Sequence, residues 1–555
     1  MKLVAVCWLA CALAASLVTG RPAAAQVPPK PAAWRHAYGD TGAGRYINPI
    51  LPGDYCDIDA IRVGDDYYAI TSTMHLSPGM AVLHSRDLVN WAIVGHAIDD
   101  VTTISPEMNW DRMNRYGRGV WAGAIRYHAG KYWIYFGAPD DGLFMTTADD
   151  PAGPWAPLHC LWRVSGWNDT CPFWDDDGQG YLVTTNFATD PANSRRYNVH
   201  LFKLSPDGRQ LLRETDRIIH QSRGSEANKL DKRDGRYYHF YSEVRREGRV
   251  VMMNRATSLD GPWETRQLNH VNRRIDHEPN QGGIVQAPDG GWWFLTHQGS
   301  GEWEGRTLSL LPVTWRDDWP LLGDPGPDGV GVMTWSDRIP APGGPRLGPQ
   351  TSDEFDGPAL GSQWQWNHQP RAGKWSLAES PGRLRLHAFP PLRRGQLMTA
   401  GNTLSQRTYR TARNVATAQL DLGGMAEGQL AGLIHFSRDH AAIGVLQSNR
   451  GRTMVHVHNG RRTEGPAIAG DSLWLRSEWA DDGVSQFSYS TDGEQFAPLG
   501  PPYAAAFGHY RGDRIGLFTF NDAGEAGYVD AEWFRHEIAP STIDPAASGP
   551  APPSR

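Results

Sequence analysis

The sequence predicts an all-β protein, a five-bladed β-propeller followed by a β-sandwich. Two observations carry that expectation. The 555 residues hold 23 Trp, 19 Tyr and 16 Phe beside 61 Gly and 40 Pro; aromatic side chains suit pleated surfaces, and Gly and Pro suit the turns between strands. A turn signal also recurs: Gly64-Asp65-Asp66-Tyr67-Tyr68, Gly130-Lys131-Tyr132-Trp133, Asp177-Gly178-Gln179-Gly180-Tyr181, Asp234-Gly235-Arg236-Tyr237-Tyr238 and Asp289-Gly290-Gly291-Trp292-Trp293. Each sets a polar Gly turn between two strand-like runs, which is a hairpin signature. A second marker accompanies several copies, as Leu88-Val89-Asn90-Trp91, Gly153-Pro154-Trp155 and Gly261-Pro262-Trp263. The spacing, about 49 to 65 residues, is the size of a four-stranded propeller blade.

Taken in order, the chain opens with Lys2, an apolar stretch from Leu3 to Val18, and Ala23-Ala24-Ala25 before Gln26. Residues 1–25 read as a secretory signal peptide, which would carry Cys7 and Cys11 away with it. An exported protein, periplasmic or extracellular, is expected. Residues 26–44 are a lead-in and 45–335 the propeller. Residues 336–350, rich in Pro and Gly, read as a linker. Alternating runs such as Gly382-Arg383-Leu384-Arg385-Leu386 and Ala431-Gly432-Leu433-Ile434-His435-Phe436 place a sandwich over 351–538. The Pro/Ser/Ala-rich residues 539–555 read as a disordered tail. A mature chain of roughly 530 residues is too long for one core, in keeping with two domains.

Composition excludes several classes. Net charge is −7, and no basic block or basic–aromatic patch points to nucleic acid. No segment after the leader is long and apolar enough to span a bilayer. Cys56, Cys160 and Cys171 are too few for a disulfide framework; mostly buried thiols are expected, with one bridge open.

Three stretches place a carboxylate near the start of a repeat: Tyr55-Cys56-Asp57-Ile58-Asp59, Asn168-Asp169-Thr170-Cys171-Pro172-Phe173-Trp174 and Ser225-Glu226-Ala227-Asn228-Lys229-Leu230. Acids from several repeats facing one cavity are the equipment of a glycosidase. Asp59 lies two residues beyond Asp57, but strand alternation turns it away from the face that Asp57 would serve. The run Asp175 to Asp177 imitates a metal loop and reads more simply as a solvated hairpin turn.

The opening Tyr46-Ile47-Asn48-Pro49-Ile50-Leu51-Pro52-Gly53-Asp54-Tyr55-Cys56-Asp57 resembles that of glycoside hydrolase family 43, as do His84-Ser85-Arg86-Asp87-Leu88-Val89-Asn90-Trp91 and Leu311-Pro312-Val313-Thr314-Trp315. Asp353-Glu354-Phe355-Asp356 and Asn402-Thr403-Leu404-Ser405-Gln406-Arg407 resemble the concanavalin-like sandwich that follows the propeller in two-domain β-xylosidases and α-L-arabinofuranosidases. The resemblance implies hydrolysis with inversion, with Asp57 as general base, Glu226 as general acid and Asp169 as the group that orients the acid and tunes its pKa. Many members carry that third acid in Trp-Ala-Pro-Asp. Here Trp121-Ala122-Gly123-Ala124 has none, and Asp169 fits another branch by its spacing to Phe173-Trp174-Asp175-Asp176-Asp177-Gly178.

Arg306 resembles the family arginine on the sugar hydroxyls, a blade salt bridge being the other reading. Trp121 and Trp174 flank the motifs and could stack on a sugar, and His75 could reach a hydroxyl. Gln281 stands where a histidine helps many members hold an axial cation, so axial calcium is not expected. Asp353 and Asp530 could share a structural calcium, ordinary turn acids being the alternative. No cofactor is required. The implied partner is a polysaccharide or oligosaccharide: xylan, arabinoxylan, arabinan or xyloglucan side chains. A sandwich loop is expected over the propeller pocket, with Trp364 and Trp366 at the interface. The competing reading is a non-catalytic glycan-binding propeller.

Overall fold

The computed structural model describes residues 27–188, 196–271, 278–341 and 343–542, without the side chains of 300 and 301. The expected leader at 1–25 and all but the first residues of the expected tail lie outside the described residues. Five four-stranded antiparallel sheets follow one another. Their first strands are Asp59–Val63, Gly123–His128, Trp167–Trp174, Glu226–Arg233 and Gly282–Gln286. These innermost strands pack side by side around the propeller axis. The hairpin turns sit where the repeats announce them. Ala129 and Gly130 join His128 to Lys131 with φ of +49° and +79°, and Asp234 and Gly235 join Arg233 to Arg236 with φ of +48° and +74°. A two-residue turn with both φ values positive matches the twist of its strands, which is why Gly recurs there.

Apolar faces between blades fuse the sheets into one body. Ala69, Leu83 and Trp91 of the first blade pack with Val285, Trp293 and Leu295 of the fifth. Ile70 and Val82 pack with Ile134 and Phe136 of the second. Phe240 of the fourth meets Phe294 of the fifth at 5.4 Å. Truncating a buried ring such as Phe294 to Ala costs about 3–5 kcal/mol. The residues before the first blade staple the ring shut: Asn48 Nδ2 donates to Leu310 O and Thr334 O at 2.8 Å, and Asn48 Oδ1 accepts from Leu310 N at 2.9 Å.

Ser336–Arg338, expected within the linker, instead pairs with Arg45–Ile47, because the chain leaving the fifth blade crosses the entry strand. The next residues lie along the first blade, where Leu347 N donates to Asn90 and Gln350 bonds Ile93.

The C-terminal region is a sandwich of two large antiparallel sheets. Its core contains Trp364, Trp366, Leu404, Leu433, Leu475, Phe487 and Phe534. Trp364 and Trp366 are thus core residues, not the expected interface side chains: each inner-face ring is held by the opposing sheet, Trp364 against Phe534 and Trp366 beside Trp375. Contact with the propeller is made by backbone pairing and by arginine side chains. Leu76–Ser77 of the first blade's insertion pairs with Gln365–Asn367 and extends a sandwich sheet. Arg410 binds Glu304 at 2.6 and 2.8 Å, and Arg407 Nε donates to Asp54 O at 2.5 Å.

Candidate active site

Local backbone geometry aims the acids. Asp57 has φ +54°, Asp169 φ +52°, and Ala227, directly after Glu226, φ +65°. Left-handed backbone is disfavoured for residues with a Cβ, by about 1–2 kcal/mol. In the third and fourth blades ladder register slips between Asn168 and Cys171 and between Glu226 and Lys229. Such a bulge re-aims the side chains at a strand's start. Strain recurring at all three acids marks this end of the axis.

Asp57 is 8% exposed. Arg306 Nη1 donates to its Oδ1 at 2.6 Å, and its own N–H donates to His297 Nδ1 at 2.7 Å. Burial alone would push the Asp57 carboxyl up; Arg306, His297, a Ser72 hydrogen bond and Lys229 together outweigh it and leave the group below its usual range. His297 is pushed down to about 3, by burial and then by Arg306. It is therefore neutral, with its proton on Nε2, since Nδ1 accepts. Arg306 Nη2 donates to Tyr510 O of the sandwich at 2.8 Å. Arg306 thus binds a carboxylate and a second domain at once.

Asp169 is 3% exposed. Its Oδ2 accepts from Asn168 Nδ2 at 2.9 Å and its Oδ1 from Gln281 Nε2 at 3.3 Å. Burial, then the charges of Glu226 and Asp57, push its carboxyl up to about 8. Glu226 pairs with Arg249 Nη2 at 2.8 Å. Asp169 therefore keeps its proton near neutral pH, while Asp57 is ionised. Asn228 holds the strands in place, donating to Asp169 O at 3.1 Å and Thr185 Oγ1 at 2.8 Å. Lys229, buried, adds a positive charge near Asp57 and Asp169.

The structure brings Asp57, Asp169, Glu226, Arg306 and Gln281 together. The Trp121 ring meets Tyr510, whose carbonyl holds Arg306, edge-on at 5.4 Å, and its Nε1 donates to Gly117 O at 2.9 Å. Trp174 does not come to the site. It stacks on His128 at 4.3 Å and packs against Trp133, because five residues of strand, at about 3.3 Å each, carry it some 16 Å from Asp169. His75 is also displaced from the cavity. It is wholly buried, accepts from Gly117 N at 3.2 Å, and packs against Tyr116, His368 and His509. It supports the Trp121 loop from behind.

The two sandwich acids do not share an ion. Asp530 takes a bidentate bond from Arg385 at 2.8 Å. Asp353 accepts from Phe355 N, Gly361 N and Trp364 Nε1, and pairs with Phe534, four residues along the strand from Asp530. Among the described residues no group of three or more His, Cys, Asp or Glu could hold a metal ion.

Asp59 points away from the acids, as alternation requires, to Ile125 N at 2.9 Å and Arg126 Nη1 at 2.8 Å. Asp175, in its hairpin turn, pairs with Lys232 at 2.6 Å. Among the described residues the three thiols are free, Cys56 and Cys171 buried and Cys160 half-buried. Sequence reasoning missed His297, Arg249 and Tyr510. A histidine in the fifth blade was sought at the strand start, one strand too early; Arg249 and Tyr510 carry no local signal.

Residues 46–320 match the model of glycosyl hydrolases family 43, and 352–537 match that of the β-xylosidase C-terminal concanavalin A-like domain. A β-xylosidase of Formosa agariphila is 35% identical over 545 residues, covering 90% of this chain and 92% of the relative. The chain belongs to glycoside hydrolase family 43. Other relatives of this family 43 glycosidase include a non-reducing end α-L-arabinofuranosidase of Bacteroides ovatus, 31% identical over 61% of this chain and 64% of the relative. A bifunctional GH43-CE protein of Bacteroides eggerthii superposes with a TM-score of 0.78 at 30% identity over 91% of this chain; the chain spans 64% of that protein. The propeller and concanavalin-like sandwich are the architecture expected of the family.

Proposed function

We propose that the chain is an inverting, exo-acting glycosidase that releases terminal pentoses, α-L-arabinofuranosyl or β-D-xylosyl, from hemicellulose or its oligosaccharides. The observation that carries the reading is the split of protonation between two neighbouring acids. Asp57, bonded to Arg306, is held ionised, while Asp169, beside Glu226, keeps a proton near neutral pH. Asp57 is the base: it takes a proton from water as the water oxygen bonds to the anomeric carbon. Glu226 is the acid: it gives a proton, which neighbouring Asp169 supplies, to the leaving oxygen as the glycosidic bond breaks. Asp169 positions Glu226 and, raised by burial and by the charges of Glu226 and Asp57, holds the proton that the step consumes. Inversion asks for roughly 6.5–9.5 Å between base and acid, to admit the water. Arg306 also presents its face to sugar hydroxyls, and Gln281 lies beside Asp169.

Tyr510 over Trp121 suits a blind pocket for a chain end. Relatives named β-xylosidase and α-L-arabinofuranosidase support a pentose. The leader-like residues 1–25 support export. Paired aryl α-L-arabinofuranoside and aryl β-D-xyloside assays test the reading, with the anomer of the first product followed by NMR. Turnover of neither substrate overturns it, and a retained anomer overturns the roles given to Asp57 and Glu226.

A further inference from the structure

The propeller axis has a second end. From Asp57 the first inner strand runs to the turn at Gly64, and from Glu226 the fourth runs to the turn at Asp234 and Gly235. Between these turns lies a cavity of about 540 Å³. Its polar lining includes Asp59, Arg126, Asp231 and Arg233; Trp292 and Trp315 form an aromatic wall. Ligand sites occupy roughly 300–1,000 Å³.

The wall is chemically unfinished. Asp59 is 1% exposed; Oδ2 holds Ile125 N and Arg126, but Oδ1 has no partner. Arg233 lies 4.8 Å from the Trp292 ring and 4.1 Å from that of Trp315, with Nη1 buried and unpartnered. Trp315 Nε1 is likewise unpartnered, and Asp231 is exposed on the lining. An apolar molecule would leave these groups unmatched, and a small ion of either sign would meet like charge, since Asp59 and Asp231 stand among Arg62, Arg126, Lys229 and Arg233. A ring bearing hydroxyls offers donors to Asp59 and Asp231, acceptors to Arg233 and Trp315, and a C–H face to the indoles.

We propose that this cavity is a second carbohydrate-binding site, for a short pentose oligosaccharide, at the end of the axis opposite the acids. It would hold another stretch of the polymer while the acid end works on a chain terminus, and in that sense it rests on the glycosidase reading. The test is calorimetric titration of the full chain carrying Glu226→Gln, with xylotetraose and with arabinotetraose. Ile284→Trp fills the cavity from its wall; Asp231→Ala removes an exposed acceptor. For one of the two oligosaccharides, Ile284→Trp should abolish a binding event and Asp231→Ala should weaken the same event about tenfold, as loss of a charged hydrogen bond predicts. Aryl-pentoside turnover, read in both variants with Glu226 intact, should stay within about twofold of the parent. Binding that survives both changes, or no binding of either oligosaccharide, overturns the site. Loss of the glycosidase reading would show separately, as absent turnover in the parent protein.

Discussion

Asp169→Asn should make the protein more stable and less active, and the gain should depend on pH. The Asp169 carboxyl is raised from 3.8 to about 8 in the fold. At pH 7 it is neutral when folded and ionised when unfolded, so unfolding releases a proton and is favoured as pH rises from about 4 towards 8. Each pH unit in that window weighs about 1.4 kcal/mol, so the penalty on the folded state at pH 7 is about 4 kcal/mol. Asparagine has no ionised form and escapes it. The substitution has its own cost: Asn168 and Gln281 both donate to Asp169, and an amide accepts through one atom only. One donor left unsatisfied costs about 1–3 kcal/mol at any pH. The net gain at pH 7 is then about 1–3 kcal/mol. At pH 4 the electrostatic part vanishes, and the variant should be the less stable protein. Chemical unfolding of both proteins at pH 4.5 and pH 7.5 reads this directly. A stability difference that is the same at both pH values would refute the raised carboxyl.

Asp57→Asn and Glu226→Gln should each keep the fold and lose about 10²–10⁴-fold in turnover. Glu226→Gln should spare activated aryl glycosides relative to natural ones, and equal losses on both would remove its role as proton donor. Arg306→Gln removes the strongest of the effects that oppose burial at Asp57, so the acid limb of kcat/KM should move to higher pH; an unmoved limb would show that Arg306 does not hold Asp57 ionised. Truncation near Pro345 strips the partner strand from Leu76–Ser77 and the partner of Glu304, so the propeller should aggregate or lose activity. A soluble truncated propeller with full small-substrate activity would contradict that.

The parts of the fold that were legible are those set by short-range chemistry. Gly130 and Gly235 had to sit at turns with positive φ, and their spacing marked the blades. The three acids were legible as carboxylates at repeat starts, but the roles proposed for them came through the family resemblance, because a lone Glu226 before a strand is otherwise an ordinary residue. The errors have one cause, closeness in sequence taken for closeness in space. Trp174 shares a strand with Asp169 yet lies a strand's length away, and Trp364 and Trp366 face a core. Conversely, Tyr510 is 204 residues from Arg306 and bonded to it. Long-range contacts through a backbone carbonyl leave no trace in residue identity, so no pattern could have announced it.

That carbonyl makes the sandwich part of the proposed active site in two separable ways. Arg306 is a fork with one nitrogen on Asp57 Oδ1 and another on Tyr510 O. Fixing the second prong keeps the first on the carboxylate, so the sandwich backbone helps hold the base ionised. The Tyr510 ring acts differently: it is 54% exposed and leans edge-on against Trp121. Tyr510→Ala keeps the carbonyl and removes the ring. It should therefore raise KM for short substrates while leaving the acid limb of the kcat profile where it was. An edge-on aromatic contact adds about 0.5–1.5 kcal/mol, so the rise should be about two- to tenfold. A shift of the acid limb in Tyr510→Ala would mean that the ring, not the backbone, seats Arg306, and the separation between charge from the propeller and shape from the sandwich would fall.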